Sequence, residues 1–165
     1  MKDPTPARLK QLLSYDPETG ILSWIVDRGP VKKGQAAGCI GNRGYMKVTV
    51  DRTYSLVHRI AWILHHDQSI PPGMQIDHRN NDKFDNRISN LRLASDTQNR
   101  HNRPVTRTNK AGFKGVSLHK ASGLWVARIK KDRKIHELGY FKTPEEAHEA
   151  YKTAATRLHG EFARW

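Results

Sequence analysis

The chain has 165 residues, of which 36% are hydrophobic and 27% charged, a polar composition for a globular protein but far from a disordered one. Its formal charge of +13 opposes compaction and points to a polyanionic partner. Nucleic acid ranks before a membrane surface, since no apolar run nears the ~20 residues that span a bilayer.

The N-terminal MKDPTPARLK lacks the apolar core of a signal peptide, so a cytoplasmic protein is expected. Cys39, the single cysteine, excludes an intramolecular disulfide and any zinc site needing two cysteine ligands. The cores are therefore expected to be held by packing, without structural zinc.

Leu9, Leu12 and Leu13 fall on one face of a short helix that breaks at Asp16-Pro17-Glu18-Thr19-Gly20. Residues 21–26 and 45–50 have strand composition, and Asp51-Arg52 can turn the chain. Gly34, Gly38, Gly41 and Gly44 mark bends between short strands, in one of which Cys39 reads as a small apolar residue. This β-rich region, residues 1–54, shows no catalytic pattern.

From Ser55 the period becomes helical: Leu56, Ile60, Ala61, Ile63 and Leu64 form an apolar stripe that stops at Ile70-Pro71-Pro72-Gly73. A strand ending in Ile76-Asp77-His78, a polar loop over 79–87 and a strand through Asn90-Leu91-Arg92-Leu93 follow. Ser95-Asp96-Thr97-Gln98 has the form of a capping box and should start a helix. Residues 55–103 thus make a unit of their own.

Residues 104–111 suit an exposed basic linker. Between Arg100 and Lys134 eleven basic residues face a single acid, Asp132, so this stretch should touch phosphates. Residues 113–119, 124–130 and 134–141 read as three strands, separated by turns at Ala121-Ser122-Gly123 and Asp132-Arg133. Thr143, Pro144 and Glu146 then supply an N-cap, a first-turn proline and a capping-box glutamate. The helix they open carries Ala147, Ala150, Tyr151, Ala154, Ala155 and Leu158 on one side. The predicted fold class is α+β, with residues 112–165 as its last domain.

Hydrolysis of a phosphodiester needs a deprotonated nucleophile, neutralisation of phosphate charge and help for the leaving oxygen. A neutral histidine supplies the first, and a hard divalent ion on oxygen ligands the other two. Asp77, His78 and Asn99 are the residues of the right kind. Strand alternation sends Asp77 and His78 to opposite faces unless His78 ends its strand, and Asn99 follows Ser95 by one helical turn. Taken singly these residues are unremarkable: an Asp-His pair is usually only hydrogen-bonded, and His58 on an apolar helix is as well explained by packing. His65 and His66 read as exposed helix-end residues. Asn80-Asn81-Asp82 lacks the glycine and final glutamate of a calcium loop.

Together, the run IDHRNNDKFDNRISNLRLASDTQN resembles the HNH nuclease motif in its H-N-N version, as in phage and intron-encoded homing endonucleases. The resemblance implies that His78 is the general base, that Asp77 and Asn99 hold one metal ion, and that Asn90 holds the loop and strand. Twelve residues separate His78 from Asn90, and nine separate Asn90 from Asn99. Asp85-Asn86-Arg87 and Asn90-Leu91-Arg92 match the motif's usual fillers, and His58-Arg59 is similar to a pair found upstream. His58, Arg59 and Arg87 are therefore further candidates.

The residues from Lys110 onward resemble the plant ethylene-response-factor (APETALA) DNA-binding domain, through Phe113-Lys114-Gly115-Val116, residues 124–129, residues 138–143 and Glu145-Glu146-Ala147 with Ala150-Tyr151. This resemblance implies a three-stranded sheet laid in the major groove and backed by the helix. Lys114, Ser117, His119, Arg128 and Lys130 would face the groove. Ser117 and His119 stand where the plant pattern has arginines, and Arg128 where it has a glutamate, so the plant recognition sequence does not transfer. Alternation puts Val126, Arg128 and Lys130 on one face, separates Lys114 from His119 and assigns Trp125 to the core.

The resulting expectation is a site-specific endonuclease dependent on Mg2+ or another divalent cation such as Mn2+. It would nick one strand of double-stranded DNA as a monomer, in the host cell cytoplasm if phage-encoded. The alternative is a sequence-specific DNA-binding protein with an inactive nuclease core. RNA binding is weaker, because the aromatic strand motif of single-strand RNA readers is missing.

Overall fold

The computed structural model describes residues 3–41, 44–106, 108–132 and 134–165. Met1, Lys2, Asn42 and Arg43 of the β-rich region, Arg107 of the predicted linker and Arg133 of the predicted turn lie outside the described residues. By internal packing the chain divides into two units, Met1–Asp96 and Thr97–Trp165.

In the first unit, Thr5 caps helix α1 (Pro6–Lys10) by accepting from the amide of Arg8. The helix is shorter than its leucine spacing suggests. Leu13 opens strand β1 (Leu13–Tyr15), where pairing with β2 (Leu22–Trp24) satisfies its backbone while its side chain stays buried. Strands β3 (Cys39–Ile40), β4 (Met46–Val50) and β5 (Thr53–Leu56) form an antiparallel sheet in that order. Cys39 is exposed on β3. Asp51 at φ 48° and Arg52 at φ 65° supply the two left-handed residues of a tight hairpin turn.

Ser55 and Leu56, expected in a helix, belong to β5, because Leu56 pairs with Lys47 and Ser55 with Val48. Helix α2 (Val57–His66) begins only after them and ends at Asp67, whose φ is 53°. Residues 1–54 have no core of their own: Leu9, Leu22 and Val50 pack in one cluster with Val57, Ile60, Ile63, Ile76 and Leu91. Fully burying side chains of this size contributes about 1.5–3 kcal/mol each, so a small shared core is worth more than two separate ones. Strands β6 (Met74–His78) and β7 (Leu91–Ser95) pair antiparallel, with Asp77 opposite Arg92 and His78 opposite Leu91. The polar loop between them ends in a 3-10 turn at Ile88–Asn90. Helix α3 (Asp96–His101) follows, and all but its first residue belong to the second unit.

The second unit is a sheet of β8 (Val116–His119), β9 (Leu124–Lys131) and β10 (Lys134–Phe141), with β9 central, packed on helix α4 (Pro144–His159). Thr143 and Glu146 form a complete capping box at the start of α4. The small faces of Ala147, Ala154 and Ala155 let α4 lie close on Val116, Ala127 and Ile129. Gly115 makes that approach possible: at φ 73°, a Cβ there would fall 2.2 Å from the Tyr151 ring and 2.6 Å from the Arg128 carbonyl oxygen. No helix among the described residues is long and apolar enough to cross a membrane. The whole is a mixed α+β protein of small sheets and helices.

Candidate functional site

His78 is the last residue of β6, and Asp77 precedes it on the opposite side of the pleat. Both are about 5% exposed. Register sets Asp77 against Arg92, which donates from Nε to Asp77 Oδ2 at 2.9 Å, and its Nη2 lies 2.9 Å from the same oxygen. This pair is buried on both sides, where desolvation offsets much of the attraction. Its clearest effect is to fix the carboxylate's position.

Beyond His78 the chain turns away through a loop tied together by side chains. Asn90 Oδ1 accepts from the Asn80 amide at 3.0 Å, and Asn90 Nδ2 donates to the Asp85 carbonyl at 2.7 Å. Asn80 and Asp82 each accept from the amide two residues on, the local bonding that makes Asn and Asp favoured in turns. Arg87 clamps Asp85 with two bonds of 2.7 Å, and that guanidinium, more than any other partner, holds the Asp85 carboxyl down at about 2. Arg87 thus braces the loop. From β1, the Tyr15 hydroxyl donates to the Asn86 carbonyl at 2.7 Å. Gly20, at φ 76°, lets the β1–β2 turn lie against Asn86 and Arg87, where a Cβ would come within 2.6 Å of backbone.

These supports bring Asn86 back over His78. The ring nitrogen Nε2 lies 3.1 Å from Asn86 Oδ1, while Asn86 Nδ2 donates to the Phe84 carbonyl at 3.3 Å. The amide can satisfy both only with its oxygen toward the ring, so His78 Nε2 donates and Nδ1 carries the lone pair. The His58 ring meets that of His78 edge-on at 4.9 Å, and Tyr45 lies 5.4 Å from His58 and 6.2 Å from His78. Burial lowers the pKa of His78 against the opposing pull of Asn86 and nearby carboxylates. Burial, with His78 as a second cause, pushes His58 down to about 3. Both imidazoles are neutral at neutral pH, and a neutral, oriented imidazole is a base in kind.

Arg59 points elsewhere, pairing with Asp3 at 3.0 Å from Nε. Asn99 lies on α3, on the second unit's side of the division. Among the described residues no group of three or more His, Cys, Asp or Glu side chains is placed to hold a metal ion. The donors that the motif offers, a carboxylate at Asp77 and an amide oxygen at Asn99, are hard oxygen ligands that suit Mg2+ or Mn2+. A carboxylate can serve an arginine and a cation through its two oxygens.

In the second unit, Ser117 and Tyr140 flank Val126 in register. Ser117, His119, Val126, Arg128 and Lys130 alternate away from the face of β8 and β9 that packs on α4. Lys114 is not with them. It lies before β8, half-buried, and donates to the carbonyls of His101 and, at 2.8 Å, Arg103. Burial lowers its pKa to about 8. The turn at Gly115 separates Lys114 from the strand and accounts for the difference. Asn86, Arg92 and Tyr45 were not singled out from the sequence as site residues. The first two stood among motif fillers, and their roles depend on the loop fold-back and on cross-strand register.

A family model described as an HNH endonuclease matches residues 55–101. An uncharacterized HNH endonuclease, L560, of Acanthamoeba polyphaga mimivirus is 34% identical over 124 residues, or 75% of this chain, which spans 63% of that relative's length. Protein 3.8 of Escherichia phage T7 is 32% identical over 96 residues, covering 58% of this chain and 78% of its own. A solved structure described as DNA binding and cleavage by the HNH homing endonuclease I-HmuI superposes with a TM-score of 0.44 at 17% identity, over 96% of this chain and 91% of that one.

Proposed function

The chain belongs to the HNH endonuclease family, and on that premise we propose that it is a divalent-metal-dependent DNA endonuclease that nicks one strand by phosphodiester hydrolysis. The observation that carries this reading is the neutral His78 at the end of β6, fixed by Asn86 in the tautomer that keeps Nδ1 as a base. In this reading Nδ1 takes a proton from the attacking water. Asp77 and Asn99 are the residues that would hold Mg2+ or Mn2+, and the ion would supply charge neutralisation at the phosphate and the leaving oxygen. Asn90 and Arg87 keep the loop, and through it Asn86, in place, while His58 and Tyr45 keep water from the far side of the imidazole.

Residues 55–103 carry the chemistry in this proposal, 104–111 link, and 112–165 read double-stranded DNA through Ser117, His119, Arg128 and Lys130. The protein acts as a monomer, in the setting of a phage genome or other mobile element. One observation favours a second reading, a DNA-binding protein with an inactive core: Arg92 occupies Asp77. One experiment separates them. Purified protein is incubated with phage genomic DNA and Mg2+, with EDTA as control, and the breaks are mapped. Metal-dependent breaks at defined positions support the endonuclease, whereas intact DNA bound at defined positions supports the regulator.

A further inference from the structure

Glu137 stands opposite Arg128 in the β9–β10 register. A bulge between Glu137 and Gly139 turns Leu138 into the core beneath the sheet and leaves Glu137 on the open face with Arg128. Arg128 donates to the same carboxylate oxygen, Oε2, from Nε at 3.1 Å and from Nη2 at 3.0 Å. Both side chains remain more than 40% exposed. The other charged side chain nearby on β9, Lys130, is basic, and the chain as a whole carries +13.

An acid on such a face is a liability against phosphates, because it repels them and weakens sequence-independent binding. Its use lies at the base edges. A carboxylate only accepts hydrogen bonds, and in the major groove cytosine offers the N4 amino donor, whereas guanine O6 and N7 and thymine O4 are acceptors that repel it. Arg128 has committed its Nε edge to Glu137, which leaves the fork formed by its two terminal nitrogens for a second planar partner. Guanine O6 and N7 match that fork. Across one G·C pair the groove presents acceptor, acceptor, donor. The coupled side chains present donor, donor, acceptor.

We propose that Arg128 and Glu137 read a single G·C base pair together, Arg128 on guanine O6 and N7 and Glu137 on cytosine N4. Glu137 is then a specificity-determining residue. The inference rests on the assignment of the open sheet face to duplex DNA. The ion pair that exists without DNA holds the arginine in its reading position, so less side-chain freedom is lost on binding.

The test is site selection by the full chain from a random duplex library in EDTA, so that binding is read without cleavage, for the wild type, Glu137→Ala, Glu137→Gln and Arg128→Ala. The expected result is a wild-type site with one G·C pair whose preference falls on the order of tenfold in Glu137→Ala and in Arg128→Ala, at the same position and at no other. Glu137→Ala should also bind unrelated duplex more tightly than the wild type, since a repulsive charge is gone, whereas Arg128→Ala should bind it more weakly. Glu137→Gln, which keeps the size and loses the charge, should relax the same position and serves if the alanine variant folds poorly. Undiminished G·C preference in both Glu137 variants, or losses at different base pairs for the two residues, overturns the joint reading while leaving the sheet as reader. A wild type that binds duplex but enriches no sequence overturns the reader assignment itself, and this inference with it.

Discussion

His78 can act as a base only while its proton sits on Nε2, and a single side chain, Asn86, sets that choice. His78→Ala should therefore lower the cleavage rate on the order of 100-fold or more while DNA affinity stays within a few-fold, because the imidazole moves a proton and is not needed to hold the duplex. Asn86→Ala should lower it on the order of tenfold or more with binding unchanged. Single-turnover cleavage beside a gel-shift titration separates the two quantities. Full-rate cleavage by the His78 variant would remove the base from the mechanism.

The neighbouring His58 makes a different prediction, about stability. Its folded pKa of about 3 lies below the ordinary value of 6.5, so between those limits the unfolded chain binds more protons than the folded one. The stability it contributes is full above pH 6.5 and is lost as pH falls through about 3. Urea unfolding at pH 7 and pH 4.5 should show a larger loss for the wild type than for His58→Gln, where this titration is absent. Equal losses would mean that His58 is not held neutral.

At the scale of elements, what could be read from the sequence was whatever a local rule enforces. Asp51-Arg52 turns, Thr143 and Glu146 cap α4, and the alternation around Asp77 and Leu91 marks two strands whose pairing the structure shows. The start of α2 was misplaced because Ser55 and Leu56 suit a helix locally and join β5 only through partners on β4. Leu13 left its helix for the same reason. Asn86 and Arg92 were visible as residues but not as neighbours of His78 and Asp77, since those approaches depend on a folded loop and a strand register.

Gly115 shows how much one such approach matters to an element. Gly115→Ala puts a methyl into the Tyr151 ring and the Arg128 carbonyl, whereas Gly123→Ala, at φ 71°, meets nothing within 4 Å. The second substitution should cost about 1–2 kcal/mol, from backbone strain alone. The first should cost clearly more and loosen α4 from its sheet. Denaturant titration of the two variants, followed by near-ultraviolet circular dichroism, checks the order. Equal costs would show that Tyr151 gives way without penalty.

For the whole molecule the question is how many strands one protein cuts. The motif supplies one base, His78, and one pair of proposed metal ligands, Asp77 and Asn99, so one chain can attack one phosphate at a time. Cutting both strands would need a second copy, a second visit or a reversal of the protein on its site. A closed dimer would solve this by symmetry, and its site would then mirror the two-fold axis as a palindrome. Nothing in the sequence has the sustained heptads of a coiled-coil dimer. The proposed tandem order of chemistry in residues 55–103 and reading in 112–165 favours an extended asymmetric site, on which the protein has one orientation and hence one target strand. Supercoiled plasmid carrying a single site should accordingly pass to open circles under stoichiometric protein and Mg2+. Primer extension on the product should place every nick on the same strand. Linear DNA formed from the first time point, with no circular precursor, would show two active sites acting together and would replace the monomer with a dimer.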